Sequence, residues 1–286
     1  MTNKKFFVVS DIHSFATSLL ENLKSAGFRK SNKNHILIVC GDIFDRGFET
    51  MEVYRFLKSL PKSRCILVRG NHEDLYFKLL EKDFPQSFDY SNGTVLTFAQ
   101  IAGVNHNELS TWYSDNPKAK WEEVREIVAN SEVTKWLKSK QWVNYYELEN
   151  YIFVHSFIPT KVKESRLFLD LAPHRRQPDD LEIDKDWRNA DEEEWYGATW
   201  GCPYKQFRAG LFNHEIENNK KLVCGHWHAS DFHRIFETSG RFSDYDIYFG
   251  DNLVALDACT ALTQQTNVLV IDENNCYDQY GLKLGV

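Results

Sequence analysis

Ile36-Leu37-Ile38-Val39-Cys40 runs without a polar break into Gly41-Asp42-Ile43-Phe44-Asp45-Arg46-Gly47. Five consecutive apolar residues, two of them isoleucine and one valine, suit a strand buried on both faces. The glycine beyond them lets the backbone turn sharply, and charged side chains arrive at once after the turn. The same arrangement recurs along the chain. Phe6-Phe7-Val8-Val9 runs into Ser10-Asp11-Ile12-His13, and Cys65-Ile66-Leu67-Val68 into Arg69-Gly70-Asn71-His72. Later, Tyr151-Ile152-Phe153-Val154 meets His155, and Leu222-Val223-Cys224 meets Gly225-His226-Trp227-His228. Helical patterns separate the early runs. Leu19, Leu20 and Leu23 form one face, stopped at Gly27; Val53, Tyr54 and Leu57 form another, ended by Pro61. Strand and helix in alternation predict an α/β layer fold.

The pattern then changes. Residues from about 74 to 150 predict a helical insert, with apolar faces at Trp121, Val124 and Val128 and at Val133, Trp136 and Leu137, and Ser131 as an N-cap between them. Residues from about 159 to 221 are polar and acidic, carry Pro159, Pro173, Pro178 and Pro203, and predict a loop-rich segment. Strands return at 253–256 and 268–271. With no repeat and no linker, residues 1–286 are expected to form a single domain.

Composition narrows the function classes. Hydrophobic residues at 42% and aromatic residues at 14% support a packed core and exclude a disordered chain. A net charge of -7 excludes bulk nucleic-acid binding. No apolar run approaches the roughly 20 residues that span a bilayer, so no membrane role is expected. The first residues read as a strand and not as a signal peptide. Six cysteines without a CxxC spacing read as reduced, mostly buried thiols of a cytoplasmic protein.

Ligands of α/β sheets sit beyond the carboxyl ends of the strands, so the five polar clusters are expected to converge. Their donors are Asp11, His13, Asp42, Asn71, His155, His226 and His228. Oxygen and imidazole nitrogen without thiolate suit manganese first, with iron or zinc as alternatives, over calcium or magnesium. Seven donors exceed one tetrahedral site. They suit two divalent ions sharing a carboxylate, with Asp42 as the bridge; ions roughly 3.5–4 Å apart can hold a hydroxide and clamp a phosphoryl group. A lone DxH arises by chance, and a lone GD is commonly a turn. The weight rests on the ordered series DIH, GDIFDRG, GNHE, VHS and GHWH.

That series resembles the calcineurin-like metallophosphoesterase superfamily. GDIFDRG and GNHE are most similar to its phosphoprotein phosphatase branch, which includes bacterial and phage Ser/Thr phosphatases and bis(5′-nucleosyl)-tetraphosphatases. The resemblance implies a double β-sandwich flanked by helices, with a dinuclear metal site at one edge of the sheets. It implies that Asp11 and His13 bind the first metal, Asp42 bridges, and Asn71, His155 and His226 bind the second. His228 departs from the branch and matches the GHxH ending of the wider superfamily, where that histidine completes the first metal's shell. Leu256-Asp257-Ala258-Cys259-Thr260 resembles the IDTG-like strand end of the branch and reads as structural.

Other motif residues have their own physical uses. Arg46 offers a planar, permanently charged fork for phosphate oxygens. His72 is placed to protonate a leaving oxygen, with Asp45 holding its other ring nitrogen. Glu73 reads as a helix cap and Arg69 as a structural ion-pair partner. For the second phosphate-binding arginine usual in the branch, Arg188 and Arg208 are both candidates. His35, His106, His174, His214 and His233 read as surface or structural, and His174-Arg175-Arg176 as a solvated charge run. Trp112, Trp121, Trp187, Trp195 and Trp200 are expected near the rim, with Trp121 in the core. The expected activity is dinuclear metal-dependent hydrolysis of phosphomonoesters by a metal-bridging hydroxide, of the Ser/Thr protein phosphatase type. The alternatives are a nucleotide phosphohydrolase acting on dinucleoside polyphosphates or cyclic nucleotides, and a catalytically silent binding module.

Overall fold

Alternating apolar side chains that point to opposite faces need cover on both sides, and the fold supplies it with two sheets and two helical layers. The computed structural model describes residues 4–105, 117–139, 142–165, 177–213, 215–238, 243–272 and 275–284. Of the residues singled out above, His106, Trp112, Pro173, His174, Arg175, Arg176 and His214 lie outside these ranges.

The chain opens with β1 (Lys5–Val9), α1 (Ala16–Ser25), β2 (His35–Cys40), α2 (Thr50–Lys58) and β3 (Cys65–Val68). Helices α3 (Asn71–Leu80), α4 (Ser87–Ser91), α5 (Thr94–Ala102), α6 (Pro117–Asn130) and α7 (Glu132–Leu137) follow. Then come β4 (Trp142–Val143), β5 (Tyr146–Leu148), β6 (Tyr151–Phe153), β7 (Thr160–Val162) and β8 (Leu181–Ile183). Helices α8 (Glu192–Thr199) and α9 (Pro203–Arg208) lead to β9 (Lys221–His228) and α10 (Ala229–Phe236). The chain ends through β10 (Tyr248–Phe249), β11 (Leu253–Asp257), α11 (Thr260–Thr263), β12 (Leu269–Asp272), β13 (Asn275–Tyr277) and β14 (Lys283–Leu284).

One sheet has the order β14-β13-β12-β1-β2-β3-β4 and the other β10-β11-β9-β6-β5; β7 and β8 pair apart from both. β1, β2, β3 and β4 are parallel, as are β6, β9 and β11. Parallel neighbours send all their carboxyl ends to the same edge. Strand alternation decides which layer each residue joins. In β2, Leu37 and Val39 pack under helices α1, α2, α5, α6 and α7, while Ile38 and Cys40 face the second sheet. In β9, Leu222 and Cys224 pack with Trp187, Trp195 and Phe232, while Val223 meets Val8, Ile38 and Val68 between the sheets. The result is the expected α/β double sandwich flanked by helices.

Ser131 caps α7 as expected, accepting the Thr134 N–H at 3.1 Å. Several expectations are corrected. Leu20 is 42% exposed, because the buried stripe of α1 runs through Ala16, Leu19 and Leu23. Helix α3 starts at Asn71, so the helical stretch begins inside GNHE, and residues 142–148 are strands that join both sheets. Among the described residues of the segment expected to be loop-rich, β7, β8, α8 and α9 are short elements joined by loops. Trp187 and Trp195 belong to the core of the second sheet and not to the rim, each packing its ring on Tyr145. No helix among the described residues is long and apolar enough to cross a membrane.

Candidate active site

Each cluster of donors leaves a strand at the shared edge, and the turns are bonded to one another. The Asp11 N–H donates to Gly41 O at 3.2 Å, the His13 N–H to Asp42 O at 3.0 Å and the Ser14 N–H to Ile43 O at 3.0 Å. From the other sheet, Gly225 N–H donates to His155 O at 2.8 Å. This close approach needs glycine. A Cβ at Gly41 would stand 2.5 Å from His155 Nδ1 and 2.6 Å from Gly70 Cα, and one at Gly225 would collide with the Asp11 carboxylate.

Asp42 is the centre. Its Oδ2 lies 3.8 Å from His13 Nε2 and 3.9 Å from His72 Nε2; its Oδ1 lies 3.4 Å from His155 Nε2. Two groups of ligand atoms result, His13 with Asp42 and His72, and Asp42 with His155 and His226. Asn71 joins the second through its Oδ1, 2.8 Å from His155 Nε2. Asp42 Oδ1 also accepts the His72 N–H at 3.0 Å in the first turn of α3. Asp11 faces the backbone of the other sheet, accepting the His226 N–H at 3.0 Å. His228 ends β9 opposite Asp257 and lies outside both groups of ligand atoms. Its ring is 6.3 Å from that of Tyr245.

The imidazoles are oriented from behind. His13 Nδ1 pairs with Phe44 O at 3.0 Å and His155 Nδ1 with Cys40 O at 2.8 Å. A ring whose Nδ1 donates to a carbonyl presents Nε2 as an acceptor. His155 Nε2 thus faces Asn71 Oδ1, an Asp42 oxygen and, at 3.2 Å, His226 Nδ1. His155 Nε2, Asn71 Oδ1 and the Asp42 oxygen are three acceptors around one point, a cation-binding arrangement. Electrostatics agree. Burial and the Asp42 charge push Asp11 up to about 8. Burial also raises Glu73 and Asp257 to about 7, helped by the charges of Asp42 and Asp11 respectively. Burial would raise Asp42 too, yet the histidines around it hold it below the usual carboxylate range. Burial and His155 lower His226 to about 3, and burial and His72 lower His13 well below the usual imidazole value. Carboxylates short of counter-charge beside imidazoles held neutral are the donor set a pair of dications fits.

His72 is built differently. Its Nδ1 donates to Asp45 Oδ2 at 2.7 Å, and its Nε2 stands 3.3 Å from Arg46 Nη2. Burial lowers its pKa, but Asp42 and Asp45 outweigh that and leave it above the usual value. Local sequence gave no sign of the strain here. Asp11, His13, Asp42, Asp45, Arg46 and His226 all have φ between 49° and 76°, a region non-glycine residues rarely enter and one that clusters at functional sites.

Glu73 does more than cap. Its carboxylate accepts N–H groups from Gly70 at 2.7 Å, Ile43 at 3.0 Å and Asp42 at 3.1 Å, riveting the β2 and β3 turns together. Arg69 pairs with the buried Asp74. Arg188 is engaged elsewhere, between Glu147 at 2.6 Å and Glu217 at 2.5 Å, with its guanidinium over Trp187. Arg208 is exposed on α9. His35 accepts the Arg29 N–H, and His233 pairs with Glu237; both are structural. Beyond His228, a hollow of about 430 Å³ is lined by Ser243, Asp244, Tyr245, Asp246, Thr263 and Gln265.

The calcineurin-like phosphoesterase family profile matches residues 4–230. Shewanella-like protein phosphatase 1 of Plasmodium berghei is 38% identical over 124 residues, which cover 37% of this chain and 34% of that protein. A symmetrical bis(5′-nucleosyl)-tetraphosphatase of Colwellia psychrerythraea is 29% identical over 111 residues, 39% of this chain and 36% of that protein. The chain thus spans about a third of the length of these curated relatives. Among solved structures, the cold-active protein-tyrosine phosphatase of a psychrophilic Shewanella species superposes with a TM-score of 0.54 at 17% identity, covering 98% of this chain and 79% of that one. That likeness concerns the fold.

Proposed function

Because this chain belongs to the calcineurin-like phosphoesterase family, we propose that it is a metal-dependent phosphomonoesterase of the Ser/Thr protein phosphatase type. The observation that carries the proposal is Asp42, whose two oxygens face two separate groups of ligand atoms, one each. His13 with Asp42 would hold one ion, flanked by Asp11 and His228; Asn71, His155 and His226 with Asp42 would hold the other. Manganese suits this oxygen and imidazole set. Bound dications would supply a nucleophilic water at neutral pH and neutralise phosphoryl charge.

The side chains do the rest. Arg46 directs a charged fork toward the same space as His72 Nε2 and would grip phosphoryl oxygens. His72, backed by Asp45, would deliver a proton to the departing oxygen. The full ligand series and this pair argue against a silent module. Six free thiols support a cytoplasmic location.

The test is a substrate panel with added manganese, comparing a phosphoserine peptide, a dinucleoside polyphosphate and an aryl phosphate. His72→Ala should lose about 10²–10⁴-fold on the alkyl ester, which needs the proton, and much less on the aryl ester. Equal losses with metal retained would reassign His72 to positioning phosphate, and a lost metal would make it a ligand. No turnover of any phosphate ester by the parent protein would refute the proposal.

A further inference from the structure

Asp45 and Arg46 stand at φ of 76° and 63° in the middle of the loop that joins β2 to α2. Conformations of this kind persist where the surroundings over-determine them. The surroundings here are one face of α5, a helix that belongs to neither sheet. Its residues 94, 97 and 100 are three apart, so their side chains lie on the same side of the helix. All three reach the Asp45–Thr50 loop.

Thr94 Oγ1 donates to Asp45 Oδ2 at 2.7 Å, and Thr97 Oγ1 donates to Asp45 Oδ1 at 2.7 Å. The same Thr97 hydroxyl accepts the Asp45 N–H at 3.0 Å, so it uses donor and acceptor capacity on one residue. Gln100 accepts the Thr50 N–H at 3.0 Å and donates to Gly47 O at 2.9 Å. Gly93, just before the helix, lets the loop press close: a Cβ there would collide with Arg46 N. Thr94, Thr97, Asp45 and His72 are each at most 3% exposed, so these bonds are shielded from bulk water.

We propose that Thr94 and Thr97 are positioning residues for the Asp45–His72 pair. This rests on the phosphoesterase reading above and assigns α5 a part in it. With Thr97 on one oxygen and Thr94 on the other, the Asp45 carboxylate cannot rotate without breaking a buried bond. Oδ2 is then held where His72 Nδ1–H meets it. That keeps one proton on Nδ1 and makes Nε2, turned toward Arg46 and Asp42, the nitrogen that would take up and release the second proton. The threonines touch neither substrate nor metal and act only through Asp45.

The experiment uses Thr94→Val, Thr97→Val and the double variant, which keep shape and remove the hydroxyls, with Thr94→Ser and Thr97→Ser as conservative partners. The first readout needs no turnover. In long-range 1H–15N spectra of the metal-free protein, His72 should carry its proton on Nδ1. In the double valine variant that signal should broaden or divide between tautomers, and serine should restore it. The second readout is kinetic, in manganese. The valine variants should lose on the order of ten-fold more activity on an alkyl phosphate than on an aryl phosphate, with metal content unchanged. An unchanged His72 signal, or equal losses on both esters, overturns the proposal. If the double variant does not fold, the single valine variants decide by the same readouts. A parent protein inert on every phosphate ester, with the His72 signal responding as expected, would overturn the phosphatase reading and leave the threonine clamp supported.

Discussion

Gly41→Ala separates the two demands that the metal-bearing turn places on its backbone, and Gly27→Ala is its control. Both glycines have left-handed angles, φ 82° and φ 86°. At Gly27 a Cβ would meet nothing within 4 Å. At Gly41 it would meet His155 Nδ1 at 2.5 Å, Gly70 Cα at 2.6 Å and Gly70 N at 2.9 Å. The left-handed conformation costs an alanine about 1–2 kcal/mol at either site. The gain from a less flexible unfolded chain, about 0.4–1 kcal/mol, is also common to both. The collision adds about 1–3 kcal/mol at Gly41 alone, because two of the three atoms are backbone and cannot rotate away. A chain of this size loses roughly 2 °C of Tm per kcal/mol. Gly41→Ala should therefore melt about 2–6 °C below Gly27→Ala. Thermal unfolding in chelator measures this without metal. His155, pushed from behind, should also lose its bond to Cys40 O, so calorimetric manganese titration should show one site weakened in Gly41→Ala and none in Gly27→Ala. Equal melting temperatures with parental metal binding in both variants would refute the packing of Gly41 against His155.

Asp42→Asn should abolish both steps of metal binding together with turnover, since one charge serves both groups of donors; two bound ions with full activity would refute the shared carboxylate. His228→Ala should weaken one step of a metal titration and spare the other, and two unchanged steps would leave His228 as a partner of Asp257 only. Arg188→Ala should lower stability by about 1 kcal/mol, since its partly exposed ion pairs are screened by solvent, and should leave KM unchanged; a raised KM would place it on substrate.

The strand cores were legible in the sequence because a strand buried on both faces leaves an unbroken apolar run, as at 36–40 and 222–224. The convergence of His13, Asp42, His155 and His226 was legible because each sits within a few residues of its strand, so short motifs retain their order; that His228 stands outside both groups of ligand atoms was not. Leu20 and Trp187 were misjudged for the converse reason. Whether an apolar residue faces the core depends on what packs against it, and a short window holds several equally apolar choices. The hydrogen bonds that shape the site carry no local sign at all. Glu73 reaches back 30 and 31 residues to the Ile43 and Asp42 amides, and Thr94 and Thr97 reach 49 and 52 residues to Asp45. A threonine on a helix has the same appearance in sequence whether it meets water or a buried carboxylate. Composition and order determined the layers and the donor types. Only the tertiary packing decided which side chains orient them, because a buried polar group must be paired and its partner is whatever the fold brings within 3 Å.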